Sequence, residues 1–448
     1  MITDLTSGGI HKRLWLFSLP MLLSVAFQQI YNIADSMIAG RFVGEDALAA
    51  VGASYPITMI FMAVAMGCNI GCSVVISQYF GAHRYGEMKT AIYTTFVSSF
   101  VLSAAMTVIG FVLSAPLMRL INTPANIFDD AELYLNIYIG GLVFLFLYNI
   151  CTGVFNSLGD SRTPLYFLIG SSVGNIVLDV LFVTAIPMGV AGVAWATFIA
   201  QGAACLLSLV TLWRRLRRIE TPGKVRWFSG EMLARVGRIA VPSILQQSFI
   251  SVGNMFIQGL VNRYGSAVVA GYSAAVKLNT FAITCFTTLA NGLSSFSAQN
   301  IGAGKVERVH KGFWSGCLLA LCVVIPFTAA FAFFDRQAVM LFLDSQSEQA
   351  LQVGRSFLRM VAPFYLIIAV KLMADGVLRG AGAMKSFMAA TFTDLVLRVV
   401  LAYVLSAFMG TDGIWLSWPI GWVTAAILST LFYFTGVWNP QKARARSN

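Results

Sequence analysis

Apolar runs of about 20 or more residues follow one another along almost the whole chain, separated by short polar loops. A soluble domain carries about a quarter charged residues, whereas here only 11% are charged and 58% are hydrophobic. A membrane-spanning helix needs about 20 apolar residues, so twelve spans would use roughly 240 of them. The composition therefore predicts an all-α integral membrane protein with no sizeable soluble domain.

The hydrophobic pattern predicts twelve transmembrane helices. Their predicted bounds are 14–38, 47–78, 91–115, 131–157, 164–186, 189–213, 236–260, 267–298, 312–334, 354–381, 387–408 and 412–436. The first run continues to Ile38 without a cleavage signal, so we expect it to be retained as a span.

The two halves of the chain repeat each other. Residue pairs recur in order at offsets of 221 to 223: Pro20 with Pro242, Asn32 with Asn254, Gln78 with Gln299, Gly153 with Gly376, and Gly189 with Gly410. We therefore predict a six-helix lobe at 1–213, a basic linker at 214–235 and a second six-helix lobe at 236–448. An even number of spans keeps both lobes in the same orientation, which predicts a pseudo-two-fold axis along the membrane normal and a central cavity.

Positive charge lies mainly in alternate loops, although the net charge of +11 would suggest nucleic acid in a soluble protein. One side would hold Lys12, Arg13, Arg84, Lys89, Arg162, the basic run from Arg214 to Arg238, Lys305, Arg308, Lys311, Arg379, Lys385, Lys442, Arg444 and Arg446. The other would hold Arg41, Arg119, Arg263, Arg336 and Arg355. The positive-inside rule then predicts a multi-pass plasma-membrane protein of the bacterial inner-membrane type, with both termini cytoplasmic. No nucleic-acid partner is expected.

Polar residues form stripes on three spans of the first half. Ser24, Gln28, Tyr31, Asn32 and Asp35 recur at helical spacing on the first span, and Ser171, Ser172, Asn175 and Asp179 on the fifth. Asp35 lies six residues before Arg41, about 9 Å from the outer boundary. Asp179 and Thr197 lie at a similar depth, because each is eight residues from the turn at Pro187–Gly189.

Buried oxygen ligands of this kind suit a hard cation, and a desolvated Asp has a raised affinity for a proton. We predict a cation or proton site formed by Asp35, Asn175, Asp179 and Thr197. The alternative is a hydrogen-bond network that only holds the helices together. No other metal and no cofactor is expected; the coupling ion would be H⁺ or Na⁺.

Buried charges in the second half pair along single helices. Lys371 with Asp375, and Asp394 with Arg398, are separated by four residues and can neutralise each other. We interpret both pairs as structural. Lys277 has no partner nearby in sequence, so it would face the cavity or pair with an acid on another helix.

Further polar residues on the spans are candidates for lining a substrate cavity: Gln28, Tyr31, Asn32, Asn149, Gln201, Gln247, Asn254 and Lys277. Pro20 is a candidate hinge in the first span. There is no Walker loop, H-E-x-x-H motif or membrane-level histidine, so the chain is not expected to be an enzyme or to use ATP directly.

Several segments together resemble the multidrug and toxic compound extrusion (MATE) family. They are Gln28–Asp35 followed by Gly40 and Arg41, Gln78–Ala82, Phe155–Pro164, Asn175–Asp179 and Leu378–Gly382. The resemblance covers the chain from about Leu14 to Phe434. It implies twelve helices in two lobes that open alternately to each side, and export of organic, often cationic, compounds in exchange for H⁺ or Na⁺.

The resemblance favours the DinF-like branch, whose cation residues match Asp35, Asn175, Asp179 and Thr197. It also implies that helix 1 bends at the proline matching Pro20. The sodium-linked branch uses acids on its seventh and tenth spans. The seventh predicted span here, 236–260, has Gln246 and Gln247 but no acid. The expected partners are a small organic substrate, the coupling cation and the lipid bilayer, with the protein as a monomer.

Two other functions remain open from the sequence. A lipid-linked-precursor flippase of the wider superfamily would need a strongly cationic cavity and often has extra helices. A membrane-embedded enzyme or receptor would not require the parallel repeat.

Overall fold

The computed structural model describes residues 3–38, 44–186, 188–221, 223–343 and 347–442, with the side chains of 34–37 and 45–48 left aside. Over these ranges the chain forms helices and no strands. This follows from the environment that the sequence predicts, because a helix satisfies its backbone polar groups internally in an apolar medium.

Fifteen α-helices account for the described spans. They are α1 Ile10–Ile38, α2 Glu45–Gly81, α3 Tyr85–Leu120, α4 Phe128–Gly140, α5 Leu142–Ser157, α6 Arg162–Val180, α7 Val190–Arg217, α8 Gly230–Val261, α9 Ser266–Gly302, α10 Val306–Phe333, α11 Asp335–Met340, α12 Glu348–Val361, α13 Tyr365–Gly380, α14 Met384–Met409 and α15 Thr411–Thr435.

Ten stretches of the described chain are long and apolar enough to cross a membrane, and α4 with α5 makes an eleventh. The helices α4 and α5 are bent by 48° at Gly141, so the span predicted at 131–157 is a broken one. The span predicted at 354–381 likewise divides into α12, a 3₁₀ turn at Ala362–Phe364, and α13. The helix α8 covers the span predicted at 236–260 but is not among the eleven, and it carries Gln246, Gln247 and Asn254.

By packing, the chain divides into two compact units. The first contains Thr3, Asp4 and Leu19–Ile244; the second contains Leu5–Ser18 and the chain from Leu245 on. The lobe boundaries that we predict at 213 and 236 follow chain order and stay a prediction.

The core of the first unit lies among α2, α4 and α5, where Ile57, Phe61, Ile139 and Phe146 are buried. Two glycines let α2 approach the start of α8 closely. A Cβ on Gly67 would be 2.7 Å from the backbone nitrogen of Ile244, and one on Gly71 would be 2.8 Å from that of Ala240. Close approach of this kind is the usual role of small residues spaced four apart on membrane helices.

The second unit packs around aromatic rings. Tyr272 stacks on Trp415 with ring centroids 5.0 Å apart, and Phe357 contacts both Trp415 and Trp418 edge to face. Offset and edge-on contacts are the favoured geometries of aromatic pairs. They bring α9, α12 and α15 together.

Candidate cation site

The helices α6 and α7 hold three of the four predicted cation-site residues. Asn175 and Asp179 lie one turn apart on α6 and face inward, with exposed fractions of 2% and 0%. The chain turns at Gly189, whose φ of +60° suits a residue without a Cβ. α7 then runs back past α6 and brings Thr197 beside Asn175.

The amide of Asn175 connects these residues. Oriented by its hydrogen-bond partners, its nitrogen donates to Asp179 Oδ2 at 2.9 Å and to the Tyr31 hydroxyl at 3.2 Å. Its oxygen accepts from the backbone N–H of Thr197 at 3.0 Å. The Thr197 hydroxyl lies 3.4 Å from the same amide group. The structure therefore joins Asn175, Asp179 and Thr197 in one network, with Tyr31 of α1 as a further member.

The fourth predicted residue, Asp35, belongs to α1, four residues beyond Tyr31. Its side chain lies outside the described residues, so its place in the network stays a prediction.

A small enclosed cavity lies next to this network. Its volume is about 10 Å³, close to the space that one water molecule requires. Tyr134, Tyr138, Thr197, Phe198 and Gln201 are among the residues that line it. This cavity is far too small for an organic substrate, so the predicted place of Gln201 in a substrate cavity stays a prediction.

A widened turn follows the site. Directly after α6, residues Leu181–Ala185 adopt a π-helical turn. π-helical turns inside helices occur frequently at functional sites.

The other candidate cavity-lining residues differ in their exposure to the surroundings of the protein. Gln28, Asn32, Asn254 and Lys277 are exposed on the protein, whereas Asn149 and Gln247 are half-buried. Asn149 donates to the carbonyl of Leu145 at 2.9 Å, one turn back on its own helix. Pro20 is buried inside α1, which continues through it to Ile38. Their roles in substrate binding and bending stay predictions.

The first of the two predicted charge pairs in the second unit is confirmed. Lys371 Nζ lies 2.6 Å from Asp375 Oδ2, and Ser429 donates to the other carboxylate oxygen at 2.6 Å. Lys371 and Asp375 are each 3% exposed. Lys277, by contrast, makes no ion pair with any described acid; its ammonium group lies over the ring of Phe342 at 5.7 Å.

The second predicted pair is wrong. Asp394 and Arg398 are both buried, yet they do not come within 4.0 Å among the ion pairs of the described residues. The guanidinium of Arg398 instead lies over the indole of Trp418 at 4.4 Å. The carboxylate of Asp394 packs against Gly421, where a Cβ would be only 2.5 Å from Oδ1. Contacts with α15 therefore position these two side chains, although their four-residue spacing on α14 would allow them to pair.

An ion pair in the first unit was not anticipated. Asp160, in the turn between α5 and α6, accepts from Arg215 of α7 and from the Thr163 hydroxyl at 2.8 Å. Burial alone would raise the pKa of Asp160, but hydrogen bonds from Arg215 and Thr163 lower it below its usual value. The two charges are 55 residues apart in the chain, so local sequence spacing could not reveal the contact.

The chain is similar to known proteins in both of its halves. The family model MatE matches residues 20–181 and again 242–404, the two halves of the internal repeat. The probable multidrug resistance protein YpnP of Bacillus subtilis is 31% identical over 98% of this chain and 98% of its own length. The probable multidrug resistance protein YoeA of the same organism is 27% identical over 97% of this chain and 95% of its own.

Among solved structures, a MOP superfamily transporter from Pyrococcus furiosus superposes with a TM-score of 0.91. It is 24% identical and covers 97% of both chains. This likeness confirms the predicted all-α membrane fold of twelve helices in two lobes.

The protein is thus a multi-pass membrane transporter. It belongs to the MatE family, as the family model and the relative from Bacillus subtilis show.

Proposed function

We propose that this chain is a secondary active antiporter, which exports organic, often cationic, compounds in exchange for protons by alternating access. Membership of the MatE family and the names of the two Bacillus relatives support export of multiple drugs. We further propose that it works as a monomer in the plasma membrane with both termini in the cytoplasm, as the distribution of Lys and Arg favours.

The observation that carries the coupling mechanism is the set of polar groups around the Asn175 amide, from which the orientation of that amide is assigned. Its amide nitrogen donates to Asp179 and to Tyr31, so one N–H points at the carboxylate and the other at the tyrosine hydroxyl. A metal ion between these groups would meet the positive end of the amide dipole. A proton, in contrast, can join Asp179 without displacing Asn175, because a carboxylic acid keeps acceptor capacity. This favours H⁺ over Na⁺ as the coupling ion.

Protonation would change the network directly. Ionised Asp179 accepts hydrogen bonds only, whereas the protonated acid also donates one. The proton can shift the equilibrium between the two transport states only if it binds to one of them more tightly than to the other. In this mechanism Asp179 and Asp35 bind and release the proton. Asn175, Thr197 and Tyr31 position them through hydrogen bonds.

Transport in proteoliposomes tests both the site and the ion. The purified protein is reconstituted, and export of a fluorescent organic cation is followed with either a pH gradient or a Na⁺ gradient imposed alone. We expect the pH gradient to drive export and the Na⁺ gradient at constant pH to be ineffective. Transport driven by Na⁺ alone would overturn the choice of ion.

Asn substitutions at Asp179 and Asp35 test the site, because Asn keeps the shape of Asp but cannot carry the proton. We expect each of Asp179→Asn and Asp35→Asn to abolish gradient-driven export while the variant stays folded. Asp394→Asn is the matched control, since it removes a buried carboxylate from the second unit and should leave export intact. Normal export by Asp179→Asn would refute the assignment.

A further inference from the structure

We infer that the first unit carries a binding site for an anionic phospholipid at the inner end of α3 and α7. The site consists of a stack of three aromatic rings surrounded by arginines, and we call it the linker platform. It comprises Tyr93, Trp213 and Trp227 with Arg214, Arg217, Arg218 and Arg226. None of these residues belongs to the cation network, so the inference stands apart from the proposed function.

The three rings of the linker platform form one continuous stack. The ring centroid of Trp227 is 4.8 Å from that of Tyr93, with planes 22° apart, and 5.8 Å from that of Trp213. Tyr93 belongs to α3, Trp213 to α7 and Trp227 to the linker. The stack therefore fixes the linker against two membrane helices.

Hydrogen bonds from α3 hold the linker backbone in place. The largely buried Lys89 donates to the carbonyl of Ile219 at 2.7 Å. The backbone N–H of Arg226 donates to Thr90 at 3.2 Å, and that of Ser229 donates to Thr94 at 3.0 Å. This part of the linker is therefore bound to α3 through its backbone, which positions its side chains.

The outer surface of the docked linker combines exposed rings and exposed cations. Trp227 is 64% exposed and Phe228 is 49% exposed, although large apolar side chains are usually covered in a soluble loop. Arg214, Arg217, Arg218 and Arg226 are also exposed, with Glu220 as the exposed acid between them. None of these four guanidinium groups makes an ion pair within 4.0 Å among the described side chains.

These features together fit a lipid of the adjoining leaflet. Tryptophan concentrates at the level of lipid headgroups, where its ring is apolar and its N–H is wet. Guanidinium groups bind phosphate through paired hydrogen bonds, and clusters of basic residues next to a membrane helix attract anionic lipids. An exposed ring beside these arginines would contact the glycerol and upper acyl chains, which a free phosphate does not possess.

Native mass spectrometry of the full-length protein in detergent tests the site, with phosphatidylglycerol and phosphatidylcholine titrated separately. We expect wild-type protein to prefer phosphatidylglycerol. The double variant Arg217→Gln/Arg218→Gln should weaken that binding about thirtyfold, as expected for two basic groups near a lipid surface. The control Lys311→Gln/Lys385→Gln removes equal charge from exposed positions outside the linker platform and should change it less than about twofold.

Equal losses in the two double variants would overturn the inference, since the effect would then be one of overall charge. Full displacement of the lipid by soluble glycerol phosphate at similar concentration would also overturn it, because the apolar part of the lipid would then contribute nothing. Preference for an acidic peptide or an oligonucleotide over phosphatidylglycerol would assign the surface to another partner.

Fluorescence quenching locates the lipid independently of affinity. Phosphatidylglycerol brominated near the headgroup end of its chains should quench wild-type protein more than Trp227→Phe, which keeps a ring in the stack. Identical quenching of the two proteins would place the bound lipid elsewhere.

Discussion

Positions related by the internal repeat hold different chemistry in the two packing units. In the first unit Asn175 contacts Thr197; at the corresponding positions of the second unit Arg398 lies over Trp418. Asp179 corresponds to Ala402, counted at the same offset as Asn175 and Arg398. The first unit thus has a buried acid among neutral polar groups at these positions, whereas the second has a cationic side chain of its own helix there.

A second contrast lies on the preceding helices. The first unit has the neutral residues Tyr148 and Thr152 one turn apart on α5, while the corresponding residues of α13 are the ion pair Lys371 and Asp375. The contrast teaches that the repeat preserves the scaffold and lets the buried polar groups diverge. Each prediction below alters one of these differences.

The largest effect is expected from Lys371→Met. It leaves Asp375 buried with the Ser429 hydroxyl as its remaining hydrogen-bond donor among the described residues, and breaking a buried ion pair from one side costs about 3–5 kcal/mol. Thermal unfolding in detergent should show a clearly lower midpoint than wild type.

The double variant Lys371→Tyr/Asp375→Thr is the matching control, since it copies the neutral pair of the first unit. We expect it to recover most of the lost stability. A double variant as unstable as Lys371→Met would mean that packing, not charge, distinguishes the two units here.

Asp160→Asn should cost about 1.5–3 kcal/mol at neutral pH, the usual contribution of hydrogen bonds to a charged group. Because the pKa of Asp160 is lowered in the folded state, its contribution is present above about pH 3.9, the carboxyl value of an unfolded chain. It is lost as the pH falls through the folded-state pKa. The stability difference between wild type and variant should therefore shrink in acid.

Ala383 occupies the corresponding position in the second unit, so that unit lacks this dependence on pH at its equivalent turn. Asp412→Asn, at an exposed site, serves as the control and should alter stability little. A difference between wild type and Asp160→Asn that stays constant from neutral pH into acid would contradict the ion-pair explanation.

Gly421→Ala should destabilise the second unit by about 1–3 kcal/mol, the usual cost of inserting a methyl group into tight packing. The added Cβ would lie 2.5 Å from Asp394 Oδ1. The first unit has Ala200 at the position equivalent to Gly421, and Ser171 at the position equivalent to Asp394. Combining Gly421→Ala with Asp394→Ser should cost less than the sum of the two single changes, and strict additivity would exclude the proposed clash.

Arg398→Gln should have the smallest effect, about 0.5–2 kcal/mol for the lost cation–π contact with Trp418. Export driven by a pH gradient should be unchanged, because the proposed proton site belongs to the first unit. A shift in the pH dependence of export by this variant would show that the second unit takes part in coupling.

The sequence predicted helices and local contacts well, because both depend on residues a few positions apart. The stripe on α6 correctly placed Asn175 and Asp179 on one inward face, and the four-residue spacing correctly paired Lys371 with Asp375. It also named Tyr31 as a cavity residue, but could not show that its hydroxyl accepts from Asn175. That contact joins α1 to α6 and depends on how the helices pack.

The failures have the same physical origin. Four-residue spacing allows Asp394 and Arg398 to pair. Instead, Arg398 lies over the indole of Trp418 and Asp394 packs against Gly421. The bend at Gly141 was missed because α4 and α5 form one continuous apolar run, and hydropathy does not report the direction of a helix axis.

The π-helical turn at Leu181–Ala185 lies in an interval where the two halves of the repeat differ in length. From Asn175 to Gly189 the chain advances fourteen residues, whereas from Arg398 to Gly410 it advances twelve. The second unit covers the interval with α14, an uninterrupted α-helix to Met409. The two extra residues of the first unit therefore lie between Asn175 and Gly189, and an ungapped alignment of the two halves would lose register across this interval.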